Sequence, residues 1–164
     1  CIRDSFNLVR SGINLHGAFD AAGSLRVPLR PVLTLTARLA QIRDLPAGTP
    51  IGYGHTYRTR RPMRVGTVCA GYADGLPLAL SNRGFVLLHG AAAPILGRLS
   101  MDYLTVALDD IPEARVGDTV TLLGRDGDLE IPVQDWANLK GTHAYDIICS
   151  IGTRVARVHR GGTR

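Results

Sequence analysis

Cysteine is scarce and poorly spaced for a structural role. Cys1, Cys69 and Cys149 are odd in number and far apart, with no Cys-x-x-Cys pair. That excludes a disulfide framework and a zinc site, and makes a reducing, cytoplasmic setting the default. Long apolar runs are missing as well. A bilayer span takes roughly 18–20 apolar residues, and the longest candidate, Gly84–Leu96, is broken by His89, Gly90 and Pro94. A membrane protein is excluded. Lysine is nearly absent, Lys140 being the only one among 19 basic side chains. Arginine suits phosphate and carboxylate recognition, but one-sided codon usage gives the same bias and is the simpler reading. There is no Gly-x-Ser-x-Gly, P-loop or His-Glu-x-x-His, so the common hydrolytic and nucleotide-binding signatures are out. His16, His55, His89, His143 and His159 are scattered, and no metal site is expected.

What is present is an ordinary globular composition. The 164 residues are 45% apolar and 20% charged, which excludes a disordered chain. A domain of this size buries roughly 68–70% of its unfolded surface. Nineteen glycines and nine prolines without a fixed period point to turns and short strands. The net charge is +5, and Arg58, Arg60, Arg61 and Arg64 cluster. Only Tyr53 and Tyr57 accompany them and no nucleic-acid reading module does, so a solvated loop is the better reading. The chain begins with Cys1 and carries no charged-then-apolar leader, so its true start is expected upstream.

The first 27 residues or so differ from the rest. Phe6–Arg10 reads as a strand end entering a glycine-containing loop at Ser11-Gly12-Ile13. Ala18–Gly23 is small and breaker-rich, and proline-flanked Val27–Pro31 reads as a linker. Beyond it, Val32–Ile42 alternates, with Leu33, Leu35, Ala37 and Leu39 on one face and Thr34, Thr36 and Arg38 on the other. That period of two predicts a half-buried strand. Similar runs occur at Arg64–Ala70, Gly84–His89, Ala93–Leu99, Tyr103–Leu108, Thr119–Leu123 and Arg154–Val158, separated by turns such as Asn82-Arg-Gly and Asp126-Gly127. Pro132–Leu139 has helical spacing of Val133, Trp136, Ala137 and Leu139, and Tyr145–Ser150 adds a turn or two. The fold class is mainly β: an antiparallel barrel or sandwich with short helices near its end.

Two tyrosines stand in unusual surroundings. Tyr53 lies in Gly52-Tyr53-Gly54-His55-Thr56-Tyr57 and Tyr72 in Gly71-Tyr72-Ala73-Asp74-Gly75. Flanking glycines free the backbone and leave a ring unshielded, which suits presenting a phenol to a cleft as well as it suits an ordinary turn. Taken in order, Val9-Arg10-Ser11-Gly12-Ile13, the Tyr53 segment, Gly66-Thr67 with the Tyr72 segment, Gly97-Arg98-x-Ser100-Met101-Asp102, Tyr145 and Gly152-Thr-Arg154-Val155-x-Arg157 form a long series. The series resembles the C-terminal portion of the alanine racemases, fold-type III enzymes that use pyridoxal 5'-phosphate.

The resemblance implies that residues 1–27 are the tail of a cofactor-binding (β/α)8 barrel and residues 28–164 a C-terminal β domain. It implies a homodimer with shared active sites, L- and D-alanine as substrates, and D-alanine supplied for peptidoglycan. Racemisation needs two bases on opposite sides of the α-carbon. In the family one is the Schiff-base lysine and the other a tyrosine from the partner subunit, matched here by Tyr53. A free phenol, with a pKa near 10, is ionised to about one part in 10³ at pH 7, so its use as a base costs roughly 4 kcal/mol without help. Arg10 matches the arginine facing the pyridine nitrogen, and a guanidinium hydrogen-bonds there without giving up its proton. Gly12 and Ile13 match the amides that meet the cofactor phosphate, and Tyr145, also expected at the cofactor, matches a tyrosine that restrains the catalytic one and narrows the entrance. Met101 matches the residue whose backbone amide takes the substrate carboxylate. Tyr72, Arg98 and Asp102 match residues that line the entrance.

Departures from the family pattern are small: His16 stands where tyrosine is frequent, and Thr153 and Ala156 replace common prolines. The greater gap is the lysine. Lys140 sits in a late loop after a helix, away from the expected anchor, so the chain alone is expected to be inactive. Two alternatives remain in the sequence: a racemase of serine or broader amino-acid specificity, and a non-catalytic basic β-barrel binding module in which Arg58–Arg64 matter and Tyr53 does not.

Overall fold

The computed structural model describes Leu8, Arg10, residues 12–18 and residues 30–160. Most of the expected strand end before Arg10, the stretch from residue 19 to Gly23, and the start of the linker at Val27 lie outside these residues, as does the expected domain boundary.

Alternation builds the main sheet. In β1 (Leu35–Leu45) Leu35 and Leu39 are buried while Thr36 and Arg38 are exposed, so the face expected from the sequence is the inner one. The register shifts between Leu39 and Gln41, which splits the strand's pairing. Its first half, Leu35–Arg38, pairs with β8 (Thr119–Asp126), and its second, from Leu39, with β4 (Met63–Val68). From β4 the ladder runs through β7 (Leu104–Ala107), β6 (Ala91–Leu96) and β5 (Phe85–Leu88) and returns to β8, every pair antiparallel. The order β1-β4-β7-β6-β5-β8 therefore closes on itself through the β1–β8 pair. Closure removes the exposed edges that an open sheet would leave, and decides between barrel and sandwich in favour of the barrel. A short β9 (Leu129–Ile131) extends β8 after the Asp126-Gly127 turn.

The interior is filled by Leu39, Leu87, Val106, Leu108 and Val120, all essentially inaccessible. Helices α1 (Val133–Lys140) and α2 (Ala144–Ser150) add Trp136, Ala137 and Ile147 to this core, as the helical spacing predicts. Lys140 is the last residue of α1 rather than a loop residue. Gly141, at φ 75°, ends the helix by donating to the carbonyls of Ala137 and Asn138. Among the described residues no helix is long and apolar enough to cross a membrane.

A two-stranded ribbon, β2 (Pro50–Ile51) with β3 (Tyr57–Arg58), stands apart from the expected strands. It covers part of the barrel's outer face, where Val65 and Leu96 would otherwise be wet: Ile51 packs on both. Buried Thr59 closes the ribbon's open end, its hydroxyl accepting from the Thr49 amide at 2.9 Å and donating to the Pro46 carbonyl at 2.7 Å.

One expected strand is absent. Residues 154–158 are turn and irregular chain. The cause is Arg157, whose guanidinium donates to the carbonyls of Ile151, Gly152 and Val155 at 2.7, 2.9 and 2.9 Å. Carbonyls bound by a nearby side chain wrap the segment on itself instead of offering it to a ladder.

Candidate functional site

Tyr53 occupies the turn joining β2 to β3. Gly52 and Gly54, both at φ 71°, and His55, at φ 50°, bend the chain through the left-handed region. Glycine takes that conformation without strain. Gly52 is needed for a second reason: a Cβ there would lie 2.7 Å from the amide nitrogen of Arg98, and one on Gly97 would lie 2.6 Å from the Ile51 carbonyl. The backbones at 51–52 and 97–98 are thus in direct contact. The Tyr53 side chain rests on nothing that hides it, the residue being 71% exposed. It lines an open depression of about 280 Å3 with Arg98, Ser100, Tyr103, Leu104 and Thr105.

Two of the residues expected at an entrance, Tyr72 and Asp102, belong to one network of hydrogen bonds and ion pairs. The amides of Tyr72 and Ala73 donate to the carbonyls of Ser100 and Met101 at 3.1 and 3.0 Å. Gly71 allows this approach, because a Cβ would collide with the Met101 carbonyl. Asp74 accepts from the Gly71 amide at 2.9 Å, and Arg154 reaches Asp74 at 2.9 Å and Asp102 at 2.7 Å. The Asp102 hydrogen bond, followed by the Asp74 charge, raises the Arg154 guanidinium above its ordinary value. Met101 is half-exposed, its carbonyl is taken by Ala73, and its N–H has no partner among the described residues. Tyr72 and Asp102 are partly exposed and Arg98 is exposed.

The residues expected at the cofactor form a separate group. The Tyr145 hydroxyl accepts from the Ile13 amide at 3.0 Å, and a Cβ on Gly12 would stand 2.7 Å from the same oxygen. Glycine at 12 is what lets the phenol reach the backbone. Ile13 itself is buried with Ala18 and Ala144, so the segment is held against α2. Arg10 is exposed just before it. The Ile13 amide, expected to meet a phosphate, here meets the phenol. That oxygen accepts one N–H and keeps its own proton to donate. No hydrogen bond or ion pair among the described residues links Tyr53 to this group.

Lys140 is spoken for. It pairs with Asp146 at 2.6 Å, and its hydrogen bond holds that carboxyl below its ordinary range. Most of the arginine cluster is also engaged: Arg64 donates to the carbonyls of Ile111, Pro112 and Ala114, Arg61 pairs with Asp109, and Arg58 caps the Gly48 carbonyl. A basic face built from Arg58–Arg64 loses three of its four members to such contacts. Three residues went unassigned in the sequence. Tyr103 shares the Tyr53 depression and closes the bend at Met101–Asp102, its carbonyl accepting from the Ser100 amide at 2.9 Å, a contact that strand alternation does not signal. Arg154 shows no local signal, because its partners are some 52 residues or more away. Asn82 reads only as turn punctuation.

The mainly antiparallel β architecture with two short helices, α1 and α2, matches that of solved alanine racemase structures over their C-terminal domain. Residues 32–159 match the family model described as "Alanine racemase, C-terminal domain", and the chain belongs to that family. It is 45% identical over 159 residues to the alanine racemase of Syntrophobacter fumaroxidans, covering 95% of this chain and 42% of that protein. The crystal structure of alanine racemase from E. faecalis superposes with a TM-score of 0.84 at 36% identity, over 91% of this chain and 40% of that one. Alanine racemase from Bartonella henselae, solved with covalently bound pyridoxal phosphate, gives 0.81 at 36% identity, over 90% and 40%. The chain thus spans about two fifths of the length of the relatives it matches.

Proposed function

We propose that this chain is the C-terminal part of a pyridoxal-phosphate-dependent alanine racemase, and that Tyr53 serves as one of two α-proton bases in a site completed by a partner subunit. The observation that carries the reading is the placement of Tyr53: a phenol 71% exposed on the rim, joined by no hydrogen bond or ion pair among the described residues to its own chain's Gly12–Ile13–Tyr145 group. A base so held is available to another molecule and not to its own domain.

The residues present fit the cofactor at its phosphate and ring ends. Gly12 offers a close backbone approach and Tyr145 a hydroxyl proton, both suited to a phosphate, and the Ile13 N–H, which the Tyr145 oxygen takes here, would serve the phosphate once the phenol gives way. Arg10 offers a donor for the ring nitrogen that never transfers its proton. Pyridoxal phosphate, when bound, makes the α-proton labile by delocalising the electron pair left behind. Everything else is done by side chains and backbone. The Met101 N–H holds the substrate carboxylate. Tyr53 Oη removes or returns the proton on one side. The lysine that anchors the cofactor and works the other side lies outside this chain, because Lys140 is committed to Asp146. By itself the chain racemises nothing. Residues 1–27 are the end of the barrel that carries that lysine. Tyr72, Arg98 and Asp102, the last pinned by Arg154, narrow the way in. Small zwitterions such as alanine pass; the setting is cytoplasmic, with Cys69 and Cys149 as free thiols.

Complementation tests the shared site. In the complete enzyme, Tyr53→Phe and a variant of the anchoring lysine are each inactive as homodimers. Mixed subunits then recover up to about one quarter of full activity, since half the dimers are mixed and each has one intact site. Activity that stays at zero on mixing places Tyr53 in its own subunit's site and refutes the reading.

A further inference from the structure

Asn82 joins the two loops that meet at the rim. It sits in the left-handed region at φ 57°, which asparagine tolerates better than most residues. Its carboxamide is divided between two partners: Nδ2 donates to Thr56 Oγ1 at 3.1 Å, and Oδ1 accepts from the Gly97 amide at 2.6 Å. Thr56 is three residues past Tyr53, and Gly97 is one residue before Arg98. Next door, Ser81 Oγ accepts from the Leu99 amide at 3.1 Å. Two consecutive side chains of one turn therefore hold residues 97–99, and only the asparagine also reaches the Tyr53 turn.

We propose that Asn82 is a positioning residue for the Tyr53 base: its amide fixes the height and tilt of the Tyr53 turn over the Arg98 loop. This rests on the reading of Tyr53 as a base. The ribbon under Tyr53 has only two residue pairs, Pro50–Arg58 and Ile51–Tyr57, which leave the turn itself without a ladder. Gly52 and Gly54 remove the Cβ atoms that would stiffen it. On the far side of Tyr53 the Asn82–Thr56 bond ties the turn to the rest of the rim. A phenol that abstracts a proton must reach a near-attack geometry, and a displacement of about 1 Å costs on the order of 10²-fold in rate.

The test uses the complete enzyme in D2O, with initial α-proton exchange measured separately from L- and D-alanine. Each base abstracts from one enantiomer, so loss of Tyr53 alignment slows exchange from one enantiomer and spares the other. A general loss of structure slows both. Asn82→Gly keeps the φ and removes the amide. Thr56→Val removes the acceptor at nearly constant shape. Asn82→Asp keeps the bond to Gly97 and also a bond to Thr56 with its direction reversed, because the Thr56 hydroxyl donates to a carboxylate as readily as it accepts from an amide. The expected result is an unequal loss for Asn82→Gly and Thr56→Val, about 10- to 100-fold in kcat on the Tyr53 side with KM changed little, and a smaller loss for Asn82→Asp, which retains both links. Fluorescence of Trp136, buried in the core, reports that each variant is folded. Equal losses from both enantiomers, or no loss, overturn the inference. If Tyr53→Phe in the same assay spares both enantiomers, the base assignment itself has failed, a distinct result.

Discussion

The contact between Gly97 and Ile51 makes a sharp prediction. Gly97→Ala puts a methyl at φ 76°, with the Ile51 carbonyl oxygen 2.6 Å away. The left-handed conformation costs an alanine about 1–2 kcal/mol, and forcing an atom into a packed backbone contact adds about 1–3 kcal/mol. Reduced freedom of the unfolded chain returns about 0.4–1 kcal/mol. Gly48→Ala is the matched control, because Gly48 has φ 82° with nothing within 4 Å of the added Cβ. It carries the first and last terms alone. The two variants should therefore differ by about 1–3 kcal/mol, the steric share. Urea unfolding of the chain, followed by the fluorescence of its one tryptophan, Trp136, reads the difference from the midpoints. Equal destabilisation would refute the argument, for it would mean that glycine at 97 serves only its own dihedral angle and not the seating of the Tyr53 ribbon on the Arg98 loop.

Other outcomes follow from single contacts. Thr59→Val strands the Thr49 amide and removes the bond to Pro46 at a buried position, and urea unfolding should register a loss of about 1–3 kcal/mol. Asp118 is held below its ordinary value of 3.8, first by the Arg115 amide and then by His89. A depressed carboxylate stabilises the fold above its unfolded pKa and ceases to do so as pH falls through the folded one. The chain's stability should therefore decline as the pH drops below about 4, and Asp118→Asn should flatten that decline. A decline of unchanged steepness would sink the assignment. Lys140→Met should leave racemisation by the complete enzyme intact while Asp146 titrates closer to its ordinary value, observed by carboxyl NMR; loss of cofactor attachment would reverse the account of that lysine.

What the sequence disclosed was local. The alternation of Leu33, Leu35, Ala37 and Leu39 gave the inner face of β1 correctly, and the spacing of Trp136 and Ala137 gave α1. Closure of the barrel was not legible, because it depends on a register shift near Leu39 that sends one strand to two distant neighbours. The β2–β3 ribbon was missed for a related reason: two residues per strand are too few to show a period, and the piece is held by Thr59 and by Ile51 packing. The expected strand at Arg154–Val158 failed because Arg157 bonds its own neighbourhood, which alternation does not encode. At the candidate site, the glycines around Tyr53 signalled a freed backbone and an unshielded ring, which the φ of 71° at Gly52 and Gly54 and the 71% exposure of Tyr53 match. The partners of Arg154 and Asn82 are set by folding alone.

The most direct test of the central claim is α-proton exchange by the complete enzyme carrying Tyr53→Phe. Removing one hydroxyl should lower racemisation by about 10²-fold or more, while exchange from one enantiomer continues through the remaining base. Racemisation at the unaltered rate, or exchange that survives equally from L- and D-alanine, would contradict it.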